Sequence, residues 1–475
     1  MDMSEFIRLV KKYDAQHAVY LKRCLEAQRY YRSENDIVYK PPADRDDKDN
    51  TPLRNADNRV PSGFHGLLVN QKASYMFTSP PTFDVGSDQG NKDLTAFLGD
   101  EFAKVCKDLC VNASNCETGW LHIWRKEDGT GFDYAVVPSE EVYPVYSKRL
   151  KKELIGVMRS YGDVDTETGK TYIIYEYWTA TECQVARREE GQTVEELKPY
   201  LLFGYSDGSI GNIYRHEIGE IPWFPFPNNN VGTSDLKPIK QHIDTYDKVF
   251  SGFANDLEDI QEIIFVLTNY GGQDLHEFLS DLKHYKAIKV EDDGDGTQGG
   301  VSTLSIEIPV EAREKLLELS RKCIFEQGQG IDPDPQNFGN SSGVALKYLY
   351  SLLELKSGLQ ETEFRLAFGR FIRCVCRLIG VKIKDDKIIQ TWYRTSVSND
   401  LETAQIASQS KGIISDYTIL KNHPWVDDPD QEQQQIDAEE QKAQEKLDMY
   451  GGAFQEQKPQ GPETPGGDDK VDGKQ

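Results

Sequence analysis

Two helical segments, residues 234–261 and 310–327, flank one compact insertion, and this arrangement constrains the fold of the chain more than any other stretch. At 1.5 Å of rise per residue they reach roughly 40 and 27 Å. Ser234 is placed to cap the first. The second carries Glu311, Arg313, Glu314, Lys315, Glu318, Arg321 and Lys322 around a thin apolar stripe of Leu316, Leu317, Leu319 and Ile324. So narrow a stripe does not bury a helix within one subunit, and packing against neighbouring copies completes it. Two such helices, running out to a small head and back, make a stalk. An ordinary helical hairpin on a monomer is the alternative this pattern leaves open.

The head reads as α/β: strand-like 263–267, a short helix over 275–283, a strand over 287–290, an acidic turn at 291–300 and a strand over 302–308. Upstream, apolar residues at helical spacing predict helices over 4–32, 63–77 and 93–111, with a charged, proline-bounded loop at 41–52. From Trp120 to Phe226 short runs of Val, Ile, Tyr and Trp alternate with turn signals, which predicts six or seven antiparallel strands. Downstream, Gly and Pro interrupt the chain at 328–343, and an apolar-striped helix then spans 344–379. Residues 400–421 and 429–449 read as helical. The Gly-, Pro- and Gln-rich residues after 451 are expected to be disordered.

A chain of 475 residues has room for two to four domains. Its formal charge of −24 argues against a tight grip on DNA, because affinity for phosphates comes from Lys and Arg displacing counterions. The acidity is concentrated at the end, where residues 426–475 hold 14 acidic and 5 basic side chains. No apolar run of transmembrane length occurs, and the first residues lack the apolar core of a signal peptide. Eight cysteines, none in a C-x-x-C pair, read as buried free thiols of a reducing compartment.

Three motifs imitate chemistry. Gly204-Tyr205-Ser206-Asp207-Gly208 matches a nucleophile elbow, but the strand-like residues that follow place Ser206 in a hairpin turn. Gly169-Lys170-Thr171 lacks the earlier glycine of a phosphate loop and leads into a strand. Asp292 to Gly296 lacks the closing glutamate of a calcium loop. No catalytic residue, metal site or cofactor site is assigned.

Several runs do carry a resemblance. They are Asn58-Arg59-Val60-Pro61 with Phe64-His65, Leu68-Val69 and Gln71-Lys72, then Phe226-Pro227-Asn228-Asn229-Asn230 and Ser234-Asp235-Leu236. Ile239-Lys240, Ile243-Asp244, Tyr246-Asp247 and Ala254 to Asp259 continue the series, followed by Phe338 to Lys347 and Tyr350 to Leu353. In this order, across most of residues 55–425, the chain resembles the portal proteins of long-tailed bacteriophages of Gram-positive hosts.

The resemblance implies an α+β portal fold assembled as a ring of twelve. Residues 1–233 would form a β-rich wing, 234–265 a stem helix, 266–302 a small clip and 303–327 a stem strand and helix. Residues 328–340 would be a tunnel loop, 341–399 the long wing helix, 400–450 a helical crown and 451–475 an acidic tail. It implies no enzymatic activity of the subunit, ATP hydrolysis belonging to the terminase. The implied partners are other copies of the chain, double-stranded DNA without sequence preference, the terminase large subunit, a head-tail adaptor protein, and the major capsid and scaffolding proteins, with no membrane. The implied location is the portal vertex of the virion, reached from the host cytoplasm.

On that assignment the tunnel loop is Ile331, Asp332, Pro333, Asp334, Pro335, Gln336 and Asn337, which offer no cation and no base-reading pair. Repeated Asp332 and Asp334 carboxylates would repel a polyanion at short range, screened beyond about 8 Å, and leave it free to slide. Gly328, Gly330, Gly339 and Gly343 are expected to act as hinges, and the prolines to limit collapse. Leu316, Leu317, Leu319 and Ile324 are the expected packing residues of the stem. The competing readings are a serine hydrolase using Ser206 and a monomeric cytosolic adaptor.

Overall fold

The structure is a computed structural model that describes residues 1–39, 56–127, 129–204, 208–259, 264–268, 300–304, 309–333, 343–394, 400–421, 423, 426 and 428–451. The chain divides into two compact units, Met1–Gly339 with Tyr348–Ser396, and Asn340–Lys347 with Val397–Gln475.

In the larger unit, α1 (Met3–Tyr31) starts where the Asp2 carboxylate accepts the Ser4 N–H at 2.5 Å. Its buried residues include Phe6, Val10, Cys24, Ala27 and Tyr30. A single turn, α2 (Asp36–Tyr39), follows. Helix α3 (Phe64–Met76) is buried on most of its surface, as expected of a helix enclosed by others. After the short strand β1 (Thr82–Asp84), the helix expected over 93–111 is two helices, α4 (Asp88–Leu98) and α5 (Phe102–Cys116). The break falls at Gly99, whose φ of 65° is a left-handed stop that glycine adopts without strain.

Strands β2 (Thr118–Arg125) and β3 (Phe132–Val137) pair antiparallel, and β4 (Val142–Tyr146), β5 (Leu154–Val164), β6 (Thr171–Trp178) and β7 (Glu182–Glu189) continue as a meander. Five further strands were not separated by sequence pattern, being only two to five residues long. They are β8 (Lys198–Pro199), β9 (Phe203–Gly204), β10 (Ile210–Gly211), β11 (Ile213–Arg215) and β12 (Trp223–Pro227). One sheet runs β12-β2-β3 and the larger one β11-β7-β6-β5-β4, with β8 on β7. Trp120, Val142, Val157, Trp178 and Trp223 form a core between them.

Helix α6 (Lys240–Asp259) begins six residues later than expected, because residues 235–239 form turns that lead into it. Strands β13 (Ile264–Thr268) and β14 (Gly300–Leu304) pair antiparallel beyond its end. The expected helix 275–283 and strand 287–290 lie outside the described residues, as does the expected acidic turn 291–300 apart from Gly300, which opens β14. The strand expected over 302–308 is present only as β14, its last residues also lying outside. Helix α7 (Val310–Gly328) returns, and α8 (Gly343–Ile379) is the longest helix. The β15 strand (Ile389–Thr391) pairs with β1. The largest core gathers Phe77, Phe83, Phe102, Leu121, Phe226, Phe364, Phe368 and Phe371 from the end of α3, β1, α5, the β12-β2-β3 sheet and α8.

In the second unit are α9 (Asp400–Gln409), α10 (Asp416–Lys421) and α11 (Pro429–Gly451). The tail 452–475 lies outside the described residues. No described helix is long and apolar enough to cross a membrane.

Candidate functional site

The α6–α7 pair divides into an end that the subunit covers and an end that it does not. Ile324 and Phe325 of α7 are buried with Leu68, Leu236, Ile239 and Ile243. Nearer the start of α7, Leu317 is half-buried, whereas Leu316 and Leu319 are 43% and 50% exposed. The apolar stripe therefore serves two purposes along one helix. Leu352, Leu355, Leu359 and Leu366 of α8 are exposed as well.

The segment expected to be a tunnel loop starts where α7 stops. Gln329 adopts a left-handed backbone, φ 54° and ψ 44°, and Gly330 donates its N–H to the Phe325 carbonyl at 3.0 Å. The Gln71 side chain of α3 then clamps Ile331, accepting its N–H at 3.0 Å and donating to its carbonyl at 2.7 Å. Asp332, expected as a bare carboxylate, is held by the Arg321 guanidinium through Nε at 3.0 Å and Nη2 at 2.5 Å. Pro333 is exposed. Asp334, Pro335, Gln336, Asn337 and Gly339 lie outside the described residues, and Gly343 is the first residue of α8.

Gly328 and Gly330, expected as hinges, are sites of close approach. A Cβ on Gly328 would stand 2.6 Å from Leu68 Cδ1, and one on Gly330 would stand 2.0 Å from Leu68 Cδ2. Both packing against α3 and the Gln71 clamp fix this part of the loop, so its near end is anchored rather than hinged.

Beneath the loop lies a buried ionic group that the sequence reading missed. Asp235 lies 2.6 Å from Lys72 of α3 and 3.3 Å from Lys356 of α8. Asn228 donates to Asp235 at 2.9 Å and accepts from Lys72 at 2.8 Å. Lys356 also donates to the Gly328 carbonyl at 2.8 Å, tying the last residue of α7 to α8. Burial alone would raise the Asp235 pKa, but the ammonium groups of Lys356 and Lys72 outweigh it and hold the carboxyl below its ordinary range. Burial drives Lys356 down despite its partner. Neighbouring His65 donates its Nε2 hydrogen to the Asn115 side-chain oxygen at 2.9 Å, and burial lowers its pKa to about 4, so it is neutral at physiological pH. The signal available in the sequence was Lys72 and Lys356 interrupting apolar helical faces.

The decoy motifs resolve simply. Gly169 sits at φ 68° in the turn between β5 and β6, where Asp165 accepts from the Glu167 and Thr168 N–H groups. Ser206 lies outside the described residues; Gly204 and Ile210, before and after it, belong to antiparallel strands. All eight cysteines are free, and every one but Cys323 is buried. Among the described residues no group of His, Cys, Asp and Glu is disposed to hold a metal.

Paired helices with uncovered leucines, carried on a β-rich body, are features of the class of subunits that pack against further copies. The comparisons with known proteins name that class. Residues 10–446 match the family model for phage portal protein, SPP1 Gp6-like. The portal protein of Clostridium phage phiCD119 is 44% identical over 435 residues, covering 88% of this chain and 93% of that protein. The portal protein of Bacillus phage SPP1 is 31% identical over 442 residues, covering 87% and 83%. A chain from the solved virion of a native gene transfer agent particle superposes with a TM-score of 0.44 at 12% identity, covering 75% of this chain and 88% of that one. The chain belongs to the SPP1-type family of phage portal proteins. It is a ring-forming subunit of the portal vertex of the virion.

Proposed function

We propose that twelve copies of this subunit close a ring whose axial channel carries double-stranded DNA inward during packaging and outward during ejection. The subunit itself catalyses nothing. The uncovered leucines of α7 are the observation that carries this reading, because a lone subunit leaves Leu316 and Leu319 in water. A neighbouring copy supplies the missing contacts. Residues 234–265 and 303–327 are the stem, 266–302 the clip on which the ATP-hydrolysing terminase large subunit and later a head-tail adaptor dock, and 1–233 with 341–399 the wing. Residues 400–450 form the crown, on the side facing capsid and scaffolding proteins.

The segment 331–337 lines the channel, apart from Ile331, whose side chain is buried in the subunit. With Asp332 neutralised by Arg321, the repulsive ring rests on Asp334, one carboxylate per copy instead of two. A sparse negative lining keeps the duplex centred and lets it slide, where a basic lining would hold it. The anchoring of Ile331 by Gln71 supports a loop whose near end moves with the wing.

End-on electron micrographs of purified protein test the ring; twelve-fold particles are expected, and a stable monomer at micromolar concentration sinks the proposal. Leu316→Asp combined with Leu317→Asp should give a soluble subunit without rings. Deleting 331–337 should leave rings intact and impair DNA packaging or retention. A normal packaged genome in that deletion would remove the loop from the mechanism.

A further inference from the structure

The most concentrated positive charge in the chain has no part in the preceding account. Lys148-Arg149-Leu150-Lys151-Lys152 places four cations in five residues, and no other five-residue window of this −24 chain holds as many. The segment is the tip of the β4–β5 hairpin, and β4 is an edge strand of the larger sheet. The hairpin is closed at its base by the Ser147 N–H donating to the Glu153 carbonyl at 2.8 Å and the Glu153 N–H donating to Ser147 Oγ at 3.0 Å. Beyond that closure every residue from Lys148 to Lys152 is exposed.

Its cations are almost unneutralised. Arg149 meets Glu153 at 3.7 Å, both largely in solvent, a pair of little energetic weight. Lys148, Lys151 and Lys152 have no ion-pair partner among the described residues. Elsewhere many exposed cations are matched, as Lys170 is by Glu189 at 3.0 Å and Lys104 by Asp108 at 2.6 Å. The tip is convex, so it cannot enclose a small anion or an isolated acidic side chain. Long flexible arms on a convex turn suit an extended surface of regularly spaced, accessible anions. Duplex DNA is such a surface, with one charge per about 1.7 Å of axis.

We propose that the Lys148–Lys152 tip binds the phosphate backbone of double-stranded DNA, without reading its sequence, at a place separate from the channel loop. The inference rests on DNA being the cargo of the ring. The molecule would then combine a repulsive bore, through which DNA slides, with twelve adhesive tips that retain DNA lying against the ring.

The test is fluorescence anisotropy of a short mixed-sequence duplex titrated with the assembled protein at several salt concentrations. The variant is K148Q/R149Q/K151Q/K152Q. At about 0.9 per phosphate contact, the slope of log affinity against log salt should flatten by up to about 3.6 per engaged subunit, with affinity down about tenfold or more. An unchanged slope and affinity overturns the proposal. The K148R/K151R/K152R variant should bind as the parent does, and a loss there means that shape rather than charge is responsible, which also overturns it. Leu150→Ser should bind normally, and a loss equal to that of the glutamine variant would assign the tip to apolar docking instead. Polyglutamate of equal charge is the last arm; binding as tight as the duplex assigns the tip to an acidic polypeptide and rejects DNA. Ring images of each variant keep the questions apart: rings that fail to bind DNA remove only this inference, whereas missing rings in the parent protein remove the portal ring itself.

Discussion

Asp235 is the residue on which most depends. It lies between two lysines in a site closed to water, so removing it strands two ammonium groups at once. Asp235→Ala is expected to cost about 3–5 kcal/mol, read as a lower free energy of urea unfolding. A loss below about 1 kcal/mol would mean that water reaches the lysines. His65, in the same neighbourhood, sets a pH dependence. Its pKa is about 4 when folded and 6.5 when unfolded, so between those values the unfolded chain binds the extra proton. Stability from this group is complete above pH 6.5 and is lost as pH falls towards 4, by about 3 kcal/mol in all. His122 acts in the same sense, buried against Trp223 and lowered to about 3. Urea midpoints measured from pH 7 to 4 should decline, and His65→Asn should flatten that decline; parallel curves for the two proteins would refute the assignment.

At the scale of elements, α7 is one sequence pattern with two jobs. Ile324→Ala near its end is expected to cost about 2–4 kcal/mol of subunit stability, since the side chain is fully buried. Leu319→Glu near its middle should leave the urea midpoint of the subunit within about 0.5 kcal/mol and abolish ring particles in micrographs. Equal destabilisation by both would mean that α7 packs uniformly within one chain. This division was partly legible. The thin stripe Leu316, Leu317, Leu319 and Ile324 gave the helix and its poor self-burial, but periodicity does not tell which end of a stripe is covered. That depended on α3 and the start of α6, distant in sequence. The break at Gly99 was missed because apolar spacing runs through it, and the two-residue strands carried too few positions for a period to show. Likewise spacing does not reveal that Arg321, eleven residues earlier on a charged helix face, reaches the Asp332 carboxylate.

For the whole molecule, charge decides the conditions of assembly. Each copy carries −24, and bringing copies together confines that charge against mutual repulsion. Added salt shortens the screening length from about 10 Å at 0.1 M to about 3 Å at 1 M, so ring formation should strengthen with salt. Sedimentation velocity between those concentrations should show the ring fraction rising. A falling fraction would point to subunit contacts made by ion pairs rather than by the leucines of α7 and α8. DNA bound at the hairpin tips has the opposite salt dependence, which separates the two processes in one preparation.

Gln71 has a mechanical consequence. Its single side chain holds both the N–H and the carbonyl of Ile331, as an added rung of a ladder would. Force applied to the chain beyond Asp332 is thus delivered in shear to a helix enclosed in the body of the subunit, not spent in slack. On the channel role proposed for the loop, any pull exerted there reaches the body through α3.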